Sequence, residues 1–292
     1  MIHSNVLKFD SLLGWSQKES FQDRFQGPEF SIQVSTNQYG MRDNFYLTQK
    51  QKPKRMLVLG DSFAWGWGVE QEDIFSEILE KKHPEWEILN TAVPGYGTDQ
   101  ELLALQVKWK EFKPDIILLL FCGNDLINNV NSSQYYMNKP LYRLQMDHLV
   151  APQGNVPPAS AHQSVFRFLA RHMILLKEIL VGIERPINKF LDTRIPKSEK
   201  IKITLKLLEK INSESNAMGA QFILVSVPMR KVFRDSLSIA AERKGHLYMP
   251  LDEAFSNTAT QFLFEDGHWN KAGHVIAAKA IDKFFMENDV WR

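Results

Sequence analysis

Cysteine is nearly absent. Cys122 is the single one in 292 residues, so no internal disulfide can form. A chain this long buries roughly 75% of its unfolded surface and folds without staples or structural metal. Long apolar runs are missing as well. The longest clear one, Ile116 to Cys122, falls far short of the roughly 18 consecutive apolar residues of a membrane span and suits a buried strand instead. Charge of one sign is not in excess: 35 Lys and Arg stand against 34 Asp and Glu, a formal net charge of +1. Electrostatics therefore gives no reason to expect nucleic acid or an acidic surface as partner. Glycine (15) and proline (13) are too sparse for a collagen-like or low-complexity chain. The opening Met1-Ile2-His3-Ser4-Asn5 lacks the basic-then-apolar layout of an export signal. A trimmed exported or anchored form would read the same way, which leaves the compartment open.

What is present is ordinary for a soluble globular chain, 44% hydrophobic and 24% charged. Apolar segments alternate with helical patterns. Strands are expected at Arg55 to Leu59 ending at Gly60, Glu87 to Asn90, Asp115 to Phe121, Gln221 to Ser226 and Leu247 to Leu251. Helices are expected at Ile74 to His83, Thr98 to Phe112, Ser198 to Met218, Asp235 to Lys244 and Asn270 to Asn288. Thr98 and Glu101 have the spacing of a capping box. The alternation predicts a parallel sheet covered on both faces. Two regions fall outside it. Residues 1–50 read as an aperiodic arm laid on a domain of residues 51–292, and residues 126–197 as an insertion. Within the insertion, Val165 to Ile183 carry apolar residues at helical spacing, a helix packed on the core or a lid or membrane-surface helix.

Ser62 follows the first expected strand, in Gly60-Asp61-Ser62-Phe63. The carboxyl ends of strands in an open parallel sheet border the ligand crevice, so a Ser there can face a base and a substrate. Spacing excludes the G-x-G-x-x-G turn, the phosphate loop and the G-x-S-x-G elbow, since Ala64 stands two after Ser62. The C-terminal Glu265-Asp266-Gly267-His268-Trp269 offers an imidazole base with a carboxylate to hold its tautomer. Asp266, two before His268, is favoured as that acid because an extended loop puts i and i+2 on one side; Glu265, three before, is the alternative. Gly95 follows the second strand and Asn124 the third, where a backbone N–H and a side-chain amide can serve an oxyanion. Trp65, Trp67 and Trp269 flank the Ser and His, with Trp65 and Trp269 as candidate substrate-stacking residues. A metal held by His268, His274 and Asp266 is not expected, because no third His or Cys shares the spacing. Cys122 closes a buried strand and is read as inert, and Arg42 as a surface or structural salt-bridge residue, with reach to the site as the alternative.

Ser62, Gly95, Asn124 and His268 fall in order on the four signature blocks of the SGNH hydrolases, or GDSL-type esterases, which this sequence therefore resembles. The resemblance implies an α/β fold, a flavodoxin-like three-layer α/β/α domain with a parallel five-stranded sheet. It implies Ser62 as nucleophile, His268 as base, and an oxyanion hole of the Ser62 N–H, the Gly95 N–H and the Asn124 amide, with no cofactor. The sequence departs from the family pattern at Cys122, where the third block usually begins with Gly. It also carries Glu265 at the usual acid position. Its Asp-x-His-Trp is similar to branches that include polysaccharide O-acetyltransferases. The expected activity is hydrolysis of an O-acyl ester, acetyl on a carbohydrate being the expected case. An acyltransferase using the same residues and a catalytically silent carbohydrate-binding relative are the alternatives.

Overall fold

The computed structural model of the chain describes residues 5–161, 163–165, 195–256 and 263–292. Two antiparallel hairpins come first, β1 (Leu7–Asp10) with β2 (Gly14–Gln17) and β3 (Gln22–Gln26) with β4 (Ser31–Ser35). Then follow β5 (Lys54–Gly60), α1 (Ser62–Trp65), α2 (Phe75–Lys82), β6 (Trp86–Asn90), α3 (Thr98–Ala104), β7 (Ile116–Phe121) and α4 (Asp125–Asn128). Two further small hairpins pair β8 (Ser133–Gln134) with β9 (Met137–Asn138) and β10 (Arg143–Gln145) with β11 (His148–Val150). The chain continues through α5 (Lys197–Ala217), β12 (Gln221–Ser226), α6 (Lys231–Lys244), β13 (Leu247–Pro250) and α7 (Lys271–Glu287).

Five strands form one parallel sheet in the order β13-β12-β7-β5-β6. The middle strands are apolar on both faces because each face is covered. From β5 and β7, Met56, Val58, Leu118 and Leu120 pack with Phe75 and Leu79 of α2 and Ile281 and Phe285 of α7. The alternate residues Leu57, Leu59, Ile117 and Leu119 pack on the other side with Leu102 of α3 and Leu207 and Ile211 of α5. The chain steps from β5 outward to β6 and then back across to β7, so connections leave β5 and β7 in opposite directions. A crevice at the carboxyl ends of these strands is the consequence.

The first hairpin is fastened to this framework by buried hydrogen bonds. Trp15 Nε1 donates to Pro94 O (3.2 Å), Gln17 Nε2 to Ala92 O (3.1 Å) and Gln100 Nε2 to Leu13 O (2.8 Å). The loop around Pro152 to Pro158 is pinned in turn: Val156 N donates to Ser11 O, and Asn138 Nδ2 to Pro157 O and Pro158 O. Apart from Val165, the amphipathic helix expected over residues 165–183 lies outside the described residues. Among the described residues, no helix is long and apolar enough to cross a membrane.

Three local expectations are corrected. Residues 1–50 are not aperiodic throughout, since four short strands form there. The capping box at Thr98 does not form: Gly97 is the N-cap, Thr98 Oγ1 turns away to donate to Asp125 Oδ2, and the Glu101 carboxylate oxygens have no partner. The helix from Thr98 is α-helical only to Ala104 and then loosens into a π-turn over Leu105–Trp109 and a tight turn over Lys110–Phe112.

At the other end of β5, a buried ion pair locks it to β6. Arg55 Nη2 lies 2.6 Å from Glu87 Oε2, and both side chains are buried. The remaining guanidinium hydrogens go to the carbonyls of Leu47, Thr48, Gln49 and Phe112. Removing one partner leaves the other charge stranded in a low-dielectric site, which costs about 3–5 kcal/mol. Arg55→Met is expected to lower stability by that amount in urea unfolding. A loss under about 1 kcal/mol would show that the pair is well solvated.

Candidate active site

β5 ends at Gly60, where a Cβ would sit 2.6 Å from Ala64 Cβ and 3.1 Å from Leu120 O, so only glycine fits between the strand and the turn that follows. The turn places Asp61 as N-cap of α1, its carboxylate accepting from Phe63 N (3.0 Å), and Ser62 as the first helical residue. Ser62 Oγ then lies 2.7 Å from His268 Nε2. The imidazole arrives from a loop just ahead of α7. That loop is closed by the Leu263–Trp269 bridge, by Phe264 N donating to His268 O, and by Asn270 Oδ1 capping Gly273 N.

Asp266 and Glu265 are told apart by where they point. Asp266 Oδ1 accepts the His268 backbone N–H at 3.1 Å and lies 3.0 Å from His268 Nδ1. That second approach is short but off the N–H direction, so Nδ1 has no well-aligned partner. Burial pushes the Asp266 carboxyl up, but the His268 N–H and the positive charge an imidazolium would carry outweigh it and hold it below its ordinary value. The pair is open to water, with side-chain exposures of 22% for His268 and 49% for Asp266. Glu265 is exposed, and its own N–H is taken by Glu29 of the β3–β4 turn.

The candidate oxyanion donors lie after the three neighbouring strands β7, β5 and β6. Asn124 is exposed at the end of β7, and its Nδ2 donates one hydrogen to Asp61 Oδ2 at 3.0 Å. The second amide hydrogen has no partner among the described residues. Gly95 follows β6 at φ +80°, a conformation that favours glycine. Asp61 is thus bonded on one side to the α1 backbone and on the other to Asn124. Burial pushes its carboxyl up against these two donors.

Two expected substrate-stacking residues are corrected by burial. Trp65 is 0% exposed, with its Nε1 donating to Gln17 Oε1 (2.5 Å), and Trp269 is 2% exposed, stacked on Phe255 at 5.2 Å. Neither indole has a face to offer a substrate. The aromatic rings beside His268 are the half-buried Phe63, at 4.9 Å between ring centres, and the buried Trp67, at 5.7 Å. Phe63 is the residue directly after Ser62, and only its place in the turn could have marked it. An open groove of about 890 Å³ lies beyond Trp67, lined by Phe30, Gly68, Phe264 and α7, but it takes in none of Ser62, Gly95, Asn124 or His268.

His274 is no metal ligand here: it is buried with Nδ1 accepting the Phe75 N–H at 3.3 Å, while His268 Nε2 is engaged with Ser62. Among the described residues one trio of acids, Asp43, Glu77 and Glu80, is close enough to hold an ion. Its oxygens already accept from Asn90 N, Asn44 Nδ2, Gln71 Nε2, Tyr46 OH and Lys52 Nζ. Burial pushes the Cys122 thiol well up, as for an unreactive core cysteine.

With this geometry in place, a model of the GDSL-like lipase/acylhydrolase family matches residues 58–276, well over half of the chain. The chain belongs to that family. The family is one of lipases and acylhydrolases. No curated protein sequence matches it. Among solved structures, it is similar to the psychrotrophic esterase EstA of a Pseudoalteromonas species at 15% identity, over 80% of this chain and 98% of that one, with a TM-score of 0.46. It is similar to the acetylxylan esterase Axe2 of Geobacillus stearothermophilus at 14% identity, over 79% and 93%, with a TM-score of 0.46. A GDSL-like lipase of Bacteroides thetaiotaomicron matches at 12% identity over 83% and 93%, with a TM-score of 0.46.

Burial drags the pKa of His274 down to about 3, whereas an unfolded His titrates near about 6.5. The folded state refuses a proton that the unfolded chain accepts. The stability this acylhydrolase draws from a neutral His274 is therefore complete above pH about 6.5 and drains as pH falls toward about 3. Asn at position 274 keeps an acceptor for Phe75 N–H and removes the titration. Urea midpoints between pH 7 and 4 should fall more steeply for the wild type than for His274→Asn. Parallel slopes would contradict a neutral buried imidazole.

Proposed function

We propose that this family member is a serine esterase that cleaves a short O-acyl ester, acetyl on a carbohydrate being the expected substrate. The observation that carries the reading is the 2.7 Å hydrogen bond between Ser62 Oγ and His268 Nε2. A serine hydroxyl is a weak nucleophile until a base takes its proton as it attacks. His268 accepts that proton while Ser62 Oγ bonds to the ester carbonyl carbon. The charge that moves onto the carbonyl oxygen meets the Ser62 N–H, the Gly95 N–H and the free hydrogen of the Asn124 amide. Collapse expels the alcohol, which leaves with the proton from His268, and the acyl group stays on Ser62. A water that gives its proton to His268 then attacks the acyl-enzyme, and the acid leaves as His268 returns that proton to Ser62 Oγ.

Asp266 is the acid partner in this scheme, steadying the imidazolium and its orientation. Phe63 and Trp67 crowd the imidazole, which supports a small acyl group at the reacting centre. The exposure of His268 and Asp266 supports water, rather than a bound second sugar, as the acceptor.

The test is hydrolysis of an aryl acetate. Ser62→Ala should leave only the residual catalysis of the oxyanion donors, about 10³ to 10⁴ over water. Asn124→Ala should lower kcat by about 10² to 10³ with KM little changed. Asp266→Asn should cost up to about 10⁴ while Glu265→Gln stays mild; a crippling Glu265→Gln would move the acid to the residue three before the His. Product that forms only when a sugar acceptor is added would replace the esterase with a transferase. No turnover and no acyl-enzyme would leave a binding protein.

A further inference from the structure

Arg42 is a full charge sunk in the interior with no carboxylate among the described residues bonded to it. Its side chain is 0% exposed and lies 4.4 Å above the Trp65 ring centre. Nη1 donates to Trp65 O (3.2 Å) and Gly66 O (2.6 Å), and Nη2 to Val69 O (2.6 Å). Nε has no partner. Desolvating a guanidinium for three backbone carbonyls is an expensive way to fill space, so what those carbonyls support matters.

They are the end of α1 and the turn after it. A helix of four residues leaves its last carbonyls without intrahelical donors. Donors beyond the helix supply them here: Gly66 N bonds Phe63 O, Trp67 N bonds Ser62 O, Asn90 Nδ2 bonds Ala64 O, and Arg42 takes Trp65 O, Gly66 O and Val69 O. Ser62 is the first residue of that helix, and Trp67, inside the clamped turn, packs against His268. The neighbouring Asp43 acts on the adjacent loop, its Oδ2 accepting Asn90 N at 2.6 Å where β6 ends. Both residues precede the family-matched segment of residues 58–276.

We propose that Arg42 is a positioning residue for ester cleavage, a planar clamp that acts through the backbone of residues 65–69 to fix Ser62 against His268. This rests on the esterase reading above. Lys cannot replace it, because one ammonium is a point donor and cannot span three carbonyls as the rigid fork does. A misplacement of about 1 Å at a reacting group costs up to about 10²-fold.

The experiment compares the wild type, Arg42→Lys and Arg42→Ala in aryl acetate turnover and in the rate of inactivation by a serine-directed phosphonate, with near-UV circular dichroism alongside. Arg42→Lys should lose about 10- to 100-fold in kcat with KM within about twofold, and its inactivation should slow in parallel. Methylguanidinium added to Arg42→Ala should restore part of the rate, and ammonium should not, while the dichroism stays constant. Two results overturn the proposal: Arg42→Lys reacting with the phosphonate as fast as the wild type, or methylguanidinium restoring dichroism and rate in step, which marks a purely structural role. A wild type that the phosphonate does not inactivate would instead defeat the esterase reading itself.

Discussion

Ser62 and His268 are 206 residues apart in the chain and one hydrogen bond apart in space. That distance in sequence is the constraint the rest of the fold answers to. The parallel sheet meets it by ending β5, β6 and β7 on one side, so that Ser62, Gly95 and Asn124 follow neighbouring strands. The final helix meets it from the other direction. Its Asn270 cap, its packing on α2 and the Trp269 core contact seat the loop that carries His268. Buried strands are rigid where the reacting loops are not, and precise placement of side chains on loops needs such a base.

Behind the crevice the interior is unusually polar. Lys139 Nζ sits 2.7 Å from both oxygens of Asp99 and from Asn128 O, with both side chains fully buried. Nearby, Glu101 keeps two unpartnered carboxylate oxygens and Asp125 one. Burial, and then the charges of neighbouring acids, push both carboxyls well above their ordinary range. Asp125 directly follows Asn124, and Asp61 completes the group against the Asn124 amide. Such groups cost stability, and apolar replacements of the same volume often fold better. Their position beside the turns of Ser62 and Asn124 is consistent with stability given up for local geometry.

The sheet was legible because β5, β7 and β12 are apolar on both faces and so stand out from their surroundings. The hairpins of residues 7–35 were not: their strands are four or five residues long, with polar residues such as Gln22, Asp23 and Arg24 along β3. The spacing of Thr98 and Glu101 misled because tertiary structure offered Thr98 a better partner in Asp125. Ser62, His268 and Asp266 were legible from position and spacing, and the structure brings them together. The burial of Trp65 and Trp269 could not be read, since a Trp beside a reactive residue looks the same whether it lines the crevice or fills the core. The sequence offers Arg42 as a surface or structural salt-bridge residue or as one that reaches the site; its partners are instead the backbone carbonyls of the turn after α1, which leave no trace in the sequence.

The central claim is that chemistry passes through an acyl group on Ser62. Rapid acid quenching of the protein during turnover of an aryl acetate, followed by intact mass and peptide mapping, tests it most directly. The account predicts one added acetyl group, on the peptide containing Ser62, appearing before steady state and decaying when substrate runs out. Steady turnover with no acetylated protein, or with the acetyl group on another residue, would contradict it.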